Sequence, residues 1–224
     1  MLELLQKRIV ECELCPRLRA HCRAVAETKR RAYRDQEYWG RPVPSFGDPL
    51  ARLLIVGLAP GAHGANRTGR MFTGDASGDF LYSAMHATGW ASQPTSAHRG
   101  DGLSLIDCYI TAAGRCAPPD NKPRPEELQR CRPYLVEELR LLNRVQVIVA
   151  LGRIAFDTCL TVFGAVKSRC VFAHDQLHEL GDGQPLLISS YHPSQQNTST
   201  GRLSPPMLQS VFRRAKKIVD THHS

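Results

Sequence analysis

Four of the eight cysteines are spaced like the ligands of a metal centre. Cys12 and Cys15 form a Cys-x2-Cys pair directly before Pro16, and Cys116 and Cys131 flank a proline-rich segment. Four thiolates arranged in this way can bind a zinc ion or an iron–sulfur cluster. The spacing favours neither over the other, and a structural role for reduced thiols is a third alternative.

The remaining four cysteines are predicted to be small buried hydrophobic side chains, because they lie among apolar residues. They are Cys22, Cys108, Cys159 and Cys170. Disulfides are the weaker explanation. The first residues alternate charged with apolar side chains and lack the apolar core of a secretory signal, so an intracellular, reducing environment is expected.

A glycine-rich loop carries a second group of side chains that could do chemistry. The apolar run 53–56 ends at Gly57, and the loop that follows extends to Asp75 and also holds His63, Asn66, Arg67 and Arg70. Glycines have no Cβ, so the backbone amides of such a loop can approach a ligand closely. A strand that ends in this kind of loop is where α/β proteins bind ligands.

These groups need a scaffold, and the rest of the sequence predicts alternating strands and helices. Apolar and β-branched runs indicate four strands, at about 52–57, 103–113, 145–152 and 185–192. Helical patterns lie between them, one of which contains Pro133 and is expected to kink or split there. This alternation predicts a doubly wound α/β sheet of about four parallel strands. The loops 57–75, 115–123 and 192–201 would then meet at its carboxyl edge.

The composition is that of a globular protein that attracts polyanions. A chain of 224 residues can form one domain with a sizeable core, and it contains no apolar run near the roughly 20 residues that cross a bilayer. The net charge is +8 and comes mostly from arginine. Nucleic acid is the commonest intracellular polyanion, although a basic stretch such as 213–217 is also typical of a solvated helix face.

Three loop sequences resemble one known family. They are GLAPGAHGANRTGRMFTGD at 57–75, RCAPPDNKP at 115–123 and HPSQQNTSTGRL at 192–203. Together they resemble the uracil-DNA glycosylase superfamily, and within it the family 5 enzymes. The resemblance covers nearly the whole chain. It implies a single domain over residues 1–224, folded as a three-layer α/β/α sandwich around a four-stranded parallel sheet.

The resemblance also implies a structural [4Fe–4S] cluster. Its ligands would be Cys12, Cys15, Cys116 and Cys131, as in the related family 4 enzymes. The cluster would tie the N-terminal segment 1–50 to the loop after the second strand, and its binding energy would stabilise the folded state alone. No redox role in base removal is expected.

The implied activity is that of a monofunctional DNA glycosylase. Such an enzyme removes uracil from DNA and leaves an abasic site for base-excision repair. Bond cleavage places negative charge on the departing base and positive charge on the sugar. We expect His192, beside the rigid Pro193, to donate a hydrogen bond to a carbonyl oxygen of the base, an interaction worth roughly 3 kcal/mol.

A carboxylate is expected to orient the attacking water and to stabilise the cationic sugar. Family 1 enzymes carry an acidic residue early in the first motif, where this chain has Ala62 and His63. The resemblance therefore points to Asp75, with Asp79 as the second candidate. For Asp79 the alternative role is to cap the helix that follows.

The remaining loop residues are assigned by the resemblance to base and DNA binding. Phe72 would stack on the flipped base, and Asn121 would read the edge of that base. The backbone around the flipped nucleotide is expected to involve Ala62, His63, Gly64 and Ser194. The expected DNA contacts are Arg67, Arg70, Gln195, Asn197, Arg202 and, as a wedge in the duplex, Leu203.

The second predicted strand lacks one residue of the related families. It ends in Thr111, Ala112 and Ala113, where other families carry an asparagine that reads the base. We therefore expect a substrate range that extends beyond uracil to other deaminated bases such as hypoxanthine.

Two other functions fit parts of the sequence. A non-catalytic nucleic-acid-binding protein with a structural iron–sulfur cluster would account for the missing early carboxylate. A nucleotide-binding α/β enzyme would fit the fold, but the first loop has neither GxxxxGK[ST] nor GxGxxG. We expect the glycosylase, acting as a monomer on nucleoid DNA in the prokaryotic cytoplasm, without membrane partners.

Overall fold

A six-stranded sheet forms the centre of the fold. The computed structural model describes residues 1–221, so residues 222–224 of the predicted domain lie outside it. The strands are β1 (Phe46–Gly47), β2 (Leu53–Gly57), β3 (Cys108–Ala112), β4 (Val147–Leu151), β5 (Gln176–His178) and β6 (Leu186–Ser190). Their order across the sheet is β1-β3-β2-β4-β6-β5.

The four central strands are the ones that the sequence predicts. β3, β2, β4 and β6 pair in parallel, which confirms the doubly wound α/β class. The predicted number of strands is wrong, because β1 and β5 add antiparallel edges. These edge strands have two and three residues, too few for a pattern of alternating hydrophobicity to develop.

Helices cover both faces of the sheet. They are α1 (Leu2–Val10), α2 (Pro16–Thr28), α3 (Ala65–Thr68), α4 (Ala76–Ala87), α5 (Pro125–Leu141), α6 (Arg153–Val162), α7 (Gln195–Ser199) and α8 (Pro205–Thr221). The Cys-x2-Cys-Pro segment separates α1 from α2. Helix α5 runs through Pro133 without a split. None of the helices in residues 1–221 is long and apolar enough to cross a membrane.

The alternation of side chains along β2 divides the core into two layers. Leu53 and Ile55 pack with buried residues of α4 and α8 on one face. Leu54 and Val56 pack with residues of α5 and α6 on the other. Because both faces are covered, every residue of β2, β3 and β4 is buried. The result is the predicted three-layer α/β/α arrangement.

A buried ion pair joins five separate segments on the α5 side of the sheet. Glu138 of α5 is 0% exposed and binds Arg115 Nη2 at 2.5 Å. Its carboxylate also accepts hydrogen bonds from Thr111 Oγ1 at 2.6 Å, Ser45 Oγ at 2.5 Å and Gln6 Nε2 at 2.9 Å. Arg115 Nη1 in turn donates to Ser45 Oγ. These contacts connect α1, the segment before β1, β3, the loop after β3 and α5.

We predict that Glu138→Gln lowers the free energy of unfolding by about 3 kcal/mol, because it leaves the Arg115 charge buried without a carboxylate. The measurement is urea denaturation followed by circular dichroism. The matched control is Glu137→Gln in the next position of the same helix. Glu137 pairs with Arg8 at an exposed site, where a salt bridge is worth about 0–1 kcal/mol. Equal losses in the two variants would contradict a structural role for the buried pair.

Candidate active site

His192 lies directly beyond the carboxyl end of β6. Asn197 Nδ2 donates a hydrogen bond of 2.9 Å to the His192 carbonyl oxygen, so α7 fixes the backbone of this residue. The imidazole lies beside the ring of Phe72, with centroids 5.8 Å apart and planes inclined by 32°. The structure therefore brings together the predicted hydrogen-bond donor and the predicted stacking residue, which come from loops 120 residues apart in the sequence.

The protein environment keeps His192 neutral at physiological pH. Removal of water from the imidazole by the surrounding protein lowers its pKa from 6.5 to about 4. A neutral imidazole still has one N–H group, which can donate to a developing negative charge. The site thus offers a donor that needs no additional proton.

Phe72 adopts a backbone conformation that is unusual for a large residue. Its φ is +51°, in the left-handed region. Its ring lies against Gly57 at the end of β2, and a Cβ at that position would stand 2.8 Å from two ring carbons. Strained residues of this kind concentrate at functional sites. The strained backbone and the missing side chain at Gly57 together place the ring beside His192.

Asp75 caps helix α4 and projects one oxygen towards the glycine-rich loop. Its Oδ1 accepts a hydrogen bond of 3.0 Å from Gly78 N. A Cβ on Gly64 would stand 1.8 Å from Oδ2, so this carboxylate oxygen lies directly over the Gly64 backbone. Burial raises the pKa of Asp75, and the backbone amides at the helix start oppose that effect. The capping role considered for Asp79 is wrong, because Asp79 is an exposed residue of the first turn.

His63 is held by the N-terminal segment. Tyr38 Oη lies 3.0 Å from His63 Nδ1, and the two rings meet edge to face. Burial lowers the pKa of His63, and the charges of Arg30 and Arg67 lower it further. On either side of His63, Ala62 is half-buried and Gly64 is the residue that precedes α3. The first loop is therefore supported by residues that precede the sheet.

Arg67 makes several contacts inside the protein. It donates to the carbonyl oxygens of His63 at 2.7 Å and Gly74 at 2.6 Å, and its guanidinium lies 3.9 Å from the centroid of the Tyr33 ring. These contacts connect both ends of the glycine-rich loop. Phosphate binding by Arg67 stays a prediction, and it would require these bonds to break.

Arg70 is likewise engaged within the protein. Its Nη1 and Nη2 bind the two carboxylate oxygens of Asp101 at 2.9 and 2.7 Å, and its Nε donates to Thr73 Oγ1 at 2.9 Å. This bidentate pair holds the loop against residues 96–101. Phosphate binding by Arg70 also stays a prediction, and it would require the ion pair with Asp101 to break.

The loop after β6 divides into exposed and buried residues. Gln195 and Arg202 are exposed, and the Arg202 guanidinium lies 4.5 Å from the ring centroid of Tyr191. Ser194 precedes α7 and is half-buried. Leu203, by contrast, is only 1% exposed and packs in the core, so it is not free to act as a wedge in this conformation.

Asn121 lies in the loop that follows β3. It is exposed at the end of a 3₁₀ turn, Pro119–Asn121, with φ of +56°. Both this turn and the residues of the β6 loop follow strands that end at the same edge of the sheet. The reading of a base edge by Asn121 stays a prediction.

All four predicted cluster ligands line one pocket. Cys12, Cys15, Cys116 and Cys131 surround it together with Arg19, Arg115 and Arg130. Among the described residues, no group of three or more His, Cys, Asp or Glu is arranged to hold a single metal ion. None of the eight cysteines, all of which lie within residues 1–221, forms a disulfide, and Cys22, Cys108 and Cys159 are buried as predicted, while Cys170 is half-buried.

The chemistry of this pocket fits a thiolate-bound cluster. Three arginines offset the negative charge of four thiolates. Arg115 Nε is a buried donor without a hydrogen-bond partner among the described residues, and a cluster or thiolate sulfur could accept from it. The pocket thus combines soft ligands, positive charge and an unused donor.

Fold and site together define an α/β enzyme that presents a neutral histidine, an aromatic ring and a carboxylate at the carboxyl edge of its sheet. The family model for the uracil DNA glycosylase superfamily matches residues 44–216. The chain therefore belongs to this superfamily, and its similarity to type-5 enzymes confirms the predicted family 5 branch.

The type-5 relatives are similar over most of their length. The type-5 uracil-DNA glycosylase of Thermus thermophilus is 53% identical over 216 residues, which cover 96% of this chain and 97% of the relative. The Mycobacterium bovis enzyme is 53% identical over 209 residues, covering 92% and 78%. The Pyrobaculum aerophilum enzyme is 44% identical over 208 residues, covering 93% and 89%.

We predict that His192 titrates with a midpoint near pH 4 rather than 6.5, because its surroundings exclude water from the charged form. The measurement is a proton NMR titration of the imidazole Cε1–H signal, assigned by its loss in His192→Asn. Since the folded-state pKa is lowered, stability from the neutral ring is complete above pH 6.5 and falls as the pH drops towards 4. A midpoint at or above 6.5 would mean that the ring is solvated.

Proposed function

We propose that the chain is a monofunctional uracil-DNA glycosylase, which flips uracil out of DNA and hydrolyses its N-glycosidic bond. The observation that carries this proposal is the placement of Phe72 and His192 side by side at the carboxyl edge. The expected cellular setting is nucleoid DNA in the prokaryotic cytoplasm, with the enzyme acting as a monomer.

The flipped base would be held by one ring and one hydrogen bond. Its face stacks on Phe72, and the neutral His192 donates its N–H to a carbonyl oxygen of the base. When the C–N bond breaks, its electron pair leaves with the base, and this hydrogen bond stabilises the resulting negative charge. A preorganised donor of this kind contributes roughly 3 kcal/mol, or about a hundredfold in rate.

Asp75 would act on the other side of the sugar. Its Oδ1 is held by the start of α4, which leaves Oδ2 to orient a water and to stabilise the cationic sugar. The water oxygen bonds to the anomeric carbon, and its proton passes to the carboxylate. A pKa raised by burial makes Asp75 a better proton acceptor than an exposed aspartate. The base anion takes up a proton, which balances the one passed to Asp75, and the products are the free base and an abasic site.

The proposed substrate range includes other deaminated bases, with hypoxanthine as the first candidate. Thr111, Ala112 and Ala113 are buried at the end of β3, and the Thr111 hydroxyl donates to Glu138. No amide side chain stands at these three positions to restrict recognition to uracil. This absence supports a pocket that accepts larger bases.

A [4Fe–4S] cluster held by Cys12, Cys15, Cys116 and Cys131 is part of the proposal. When bound, it would supply structural cross-linking, with no part in the cleavage chemistry. The four ligands come from the α1–α2 turn, the loop after β3 and α5. Their ligation would fix the N-terminal segment that supports His63 through Tyr38.

The activity is tested on a labelled duplex with one uracil or one hypoxanthine, followed by alkali to cleave abasic sites. Wild-type protein is expected to produce abasic sites from both duplexes. Binding without an abasic product would favour the non-catalytic alternative. Activity on uracil alone would contradict the wider substrate range and leave the glycosylase itself intact.

We predict that His192→Asn and Asp75→Asn each lower the single-turnover rate on uracil by at least about a hundredfold. The matched control for Asp75 is Asp79→Asn, four residues along the same helix and exposed, which should change the rate less than about twofold. Wild-type turnover in Asp75→Asn combined with its loss in His192→Asn would show that another group positions the water.

The iron content tests the cluster directly. Anaerobically purified protein should contain about four iron and four sulfide per chain, and Cys131→Ser should lose most of both. Cys170→Ser is the control, since Cys170 is outside the four-cysteine pocket. Stoichiometric zinc in place of iron, or equal iron in both variants, would overturn this assignment.

A further inference from the structure

A second histidine, His174, contacts the chain directly before His192. Its ring stacks on Tyr191, with centroids 5.1 Å apart and planes inclined by 25°. Its Nδ1 accepts a hydrogen bond of 3.3 Å from Tyr191 N and lies 3.4 Å from Ser190 Oγ. His174 therefore contacts the last residue of β6, Ser190, and the one residue, Tyr191, that connects it to His192.

The hydrogen bond from the Tyr191 amide defines the tautomer of His174. A backbone amide can only donate, so Nδ1 must carry a lone pair, and the single ring proton of the neutral imidazole lies on Nε2. Nε2 is buried and has no hydrogen-bond partner among the described residues, so the contacts of Nδ1 alone define this tautomer. A hydrophobic side chain of similar size could fill the same space and stack on Tyr191. Only an acceptor can bind the Tyr191 amide.

The segment around His174 is itself fixed at both ends. Ser189 Oγ donates to Ala173 O at 2.6 Å and lies 3.2 Å from His178 Nε2. On the other side, the Asp175 carboxylate binds Arg214 of α8 at 3.0 Å. The segment 173–178 is thus a rigid support for the last residues of β6, anchored on β6 and on α8.

We propose that His174 is a positioning residue for base excision: by holding the Tyr191 amide, it sets the position of the His192 imidazole relative to the leaving base. This inference rests on the proposed function. A displacement of the donor by about 1 Å is enough to cost up to a hundredfold in rate. The effect should therefore fall on the chemical step and leave DNA affinity nearly unchanged.

The positioning contact depends on the charge of His174. Protonation of Nδ1 would turn two donors towards each other and break the bond to the Tyr191 amide. Burial lowers the pKa of His174, while the charge of Asp175 and the backbone of Met207 raise it. Arg214 binds Asp175, and the Arg202 guanidinium lies over the Tyr191 ring on which His174 stacks. The contact is complete above pH 6.5 and weakens as the pH falls below it.

The test compares His174→Leu, which keeps bulk but removes the acceptor, with His174→Asn, whose Oδ1 can accept from the Tyr191 amide. We expect His174→Leu to lower the single-turnover rate on a uracil duplex by about tenfold or more, with DNA affinity within about twofold of wild type. His174→Asn should retain most of the rate. In wild type, protonation of His174 should contribute to a fall in the single-turnover rate below pH 6.5. His174→Asn should lack that contribution, because its side chain does not titrate.

Two outcomes would overturn the proposal. The first is a wild-type single-turnover rate in His174→Leu. The second is an equal loss of rate in His174→Leu and His174→Asn, which would indicate that His174 acts through packing alone. Should His174→Leu fail to fold, nitrogen-15 NMR of the wild type decides: a proton on Nδ1 rather than Nε2 excludes the acceptor role. Lack of uracil excision by the wild type would instead refute the proposed function. The NMR measurement reports the tautomer of His174 independently of that activity.

Discussion

The buried pair of Arg115 and Glu138 is the constraint on which the other parts depend. Arg115 directly precedes Cys116, and Glu138 lies seven residues, or about two helical turns, beyond Cys131 on α5. The ion pair therefore fixes the loop after β3 relative to α5, and with them two of the four thiols. Burying two charges is costly unless their polar atoms are bonded, and the contacts from Ser45, Thr111 and Gln6 satisfy the Glu138 carboxylate.

The positions of the proposed reacting groups are set mainly by backbone features of the loops that carry them. Gly57 makes room for the ring of Phe72, Gly64 for the carboxylate of Asp75, and Asn197 fixes the carbonyl of His192. Each reacting group is held by elements that belong to the rigid sheet and its adjoining helices. Such preorganised groups act strongly in surroundings that exclude water, and the lowered pKa of His192 indicates that exclusion.

The sequence predicted the central strands, because an apolar run is a local feature. Strands β2, β3, β4 and β6 can be recognised as apolar runs without knowledge of their partners in the sheet. The partners of charged residues are not local. Arg70, predicted from the sequence as a DNA contact, pairs with Asp101, and Glu138, which no motif singles out, pairs with Arg115. The burial of Leu203 likewise depends on tertiary packing.

The two short edge strands affect how this chain behaves beside its own copies. An open sheet with long apolar edge strands can add strands from another molecule and aggregate. Here the outermost strands offer only two and three residues, Phe46–Gly47 and Gln176–His178. A second sheet could form few hydrogen bonds at either side, while the central strands β2 and β4 already have a partner strand on each side.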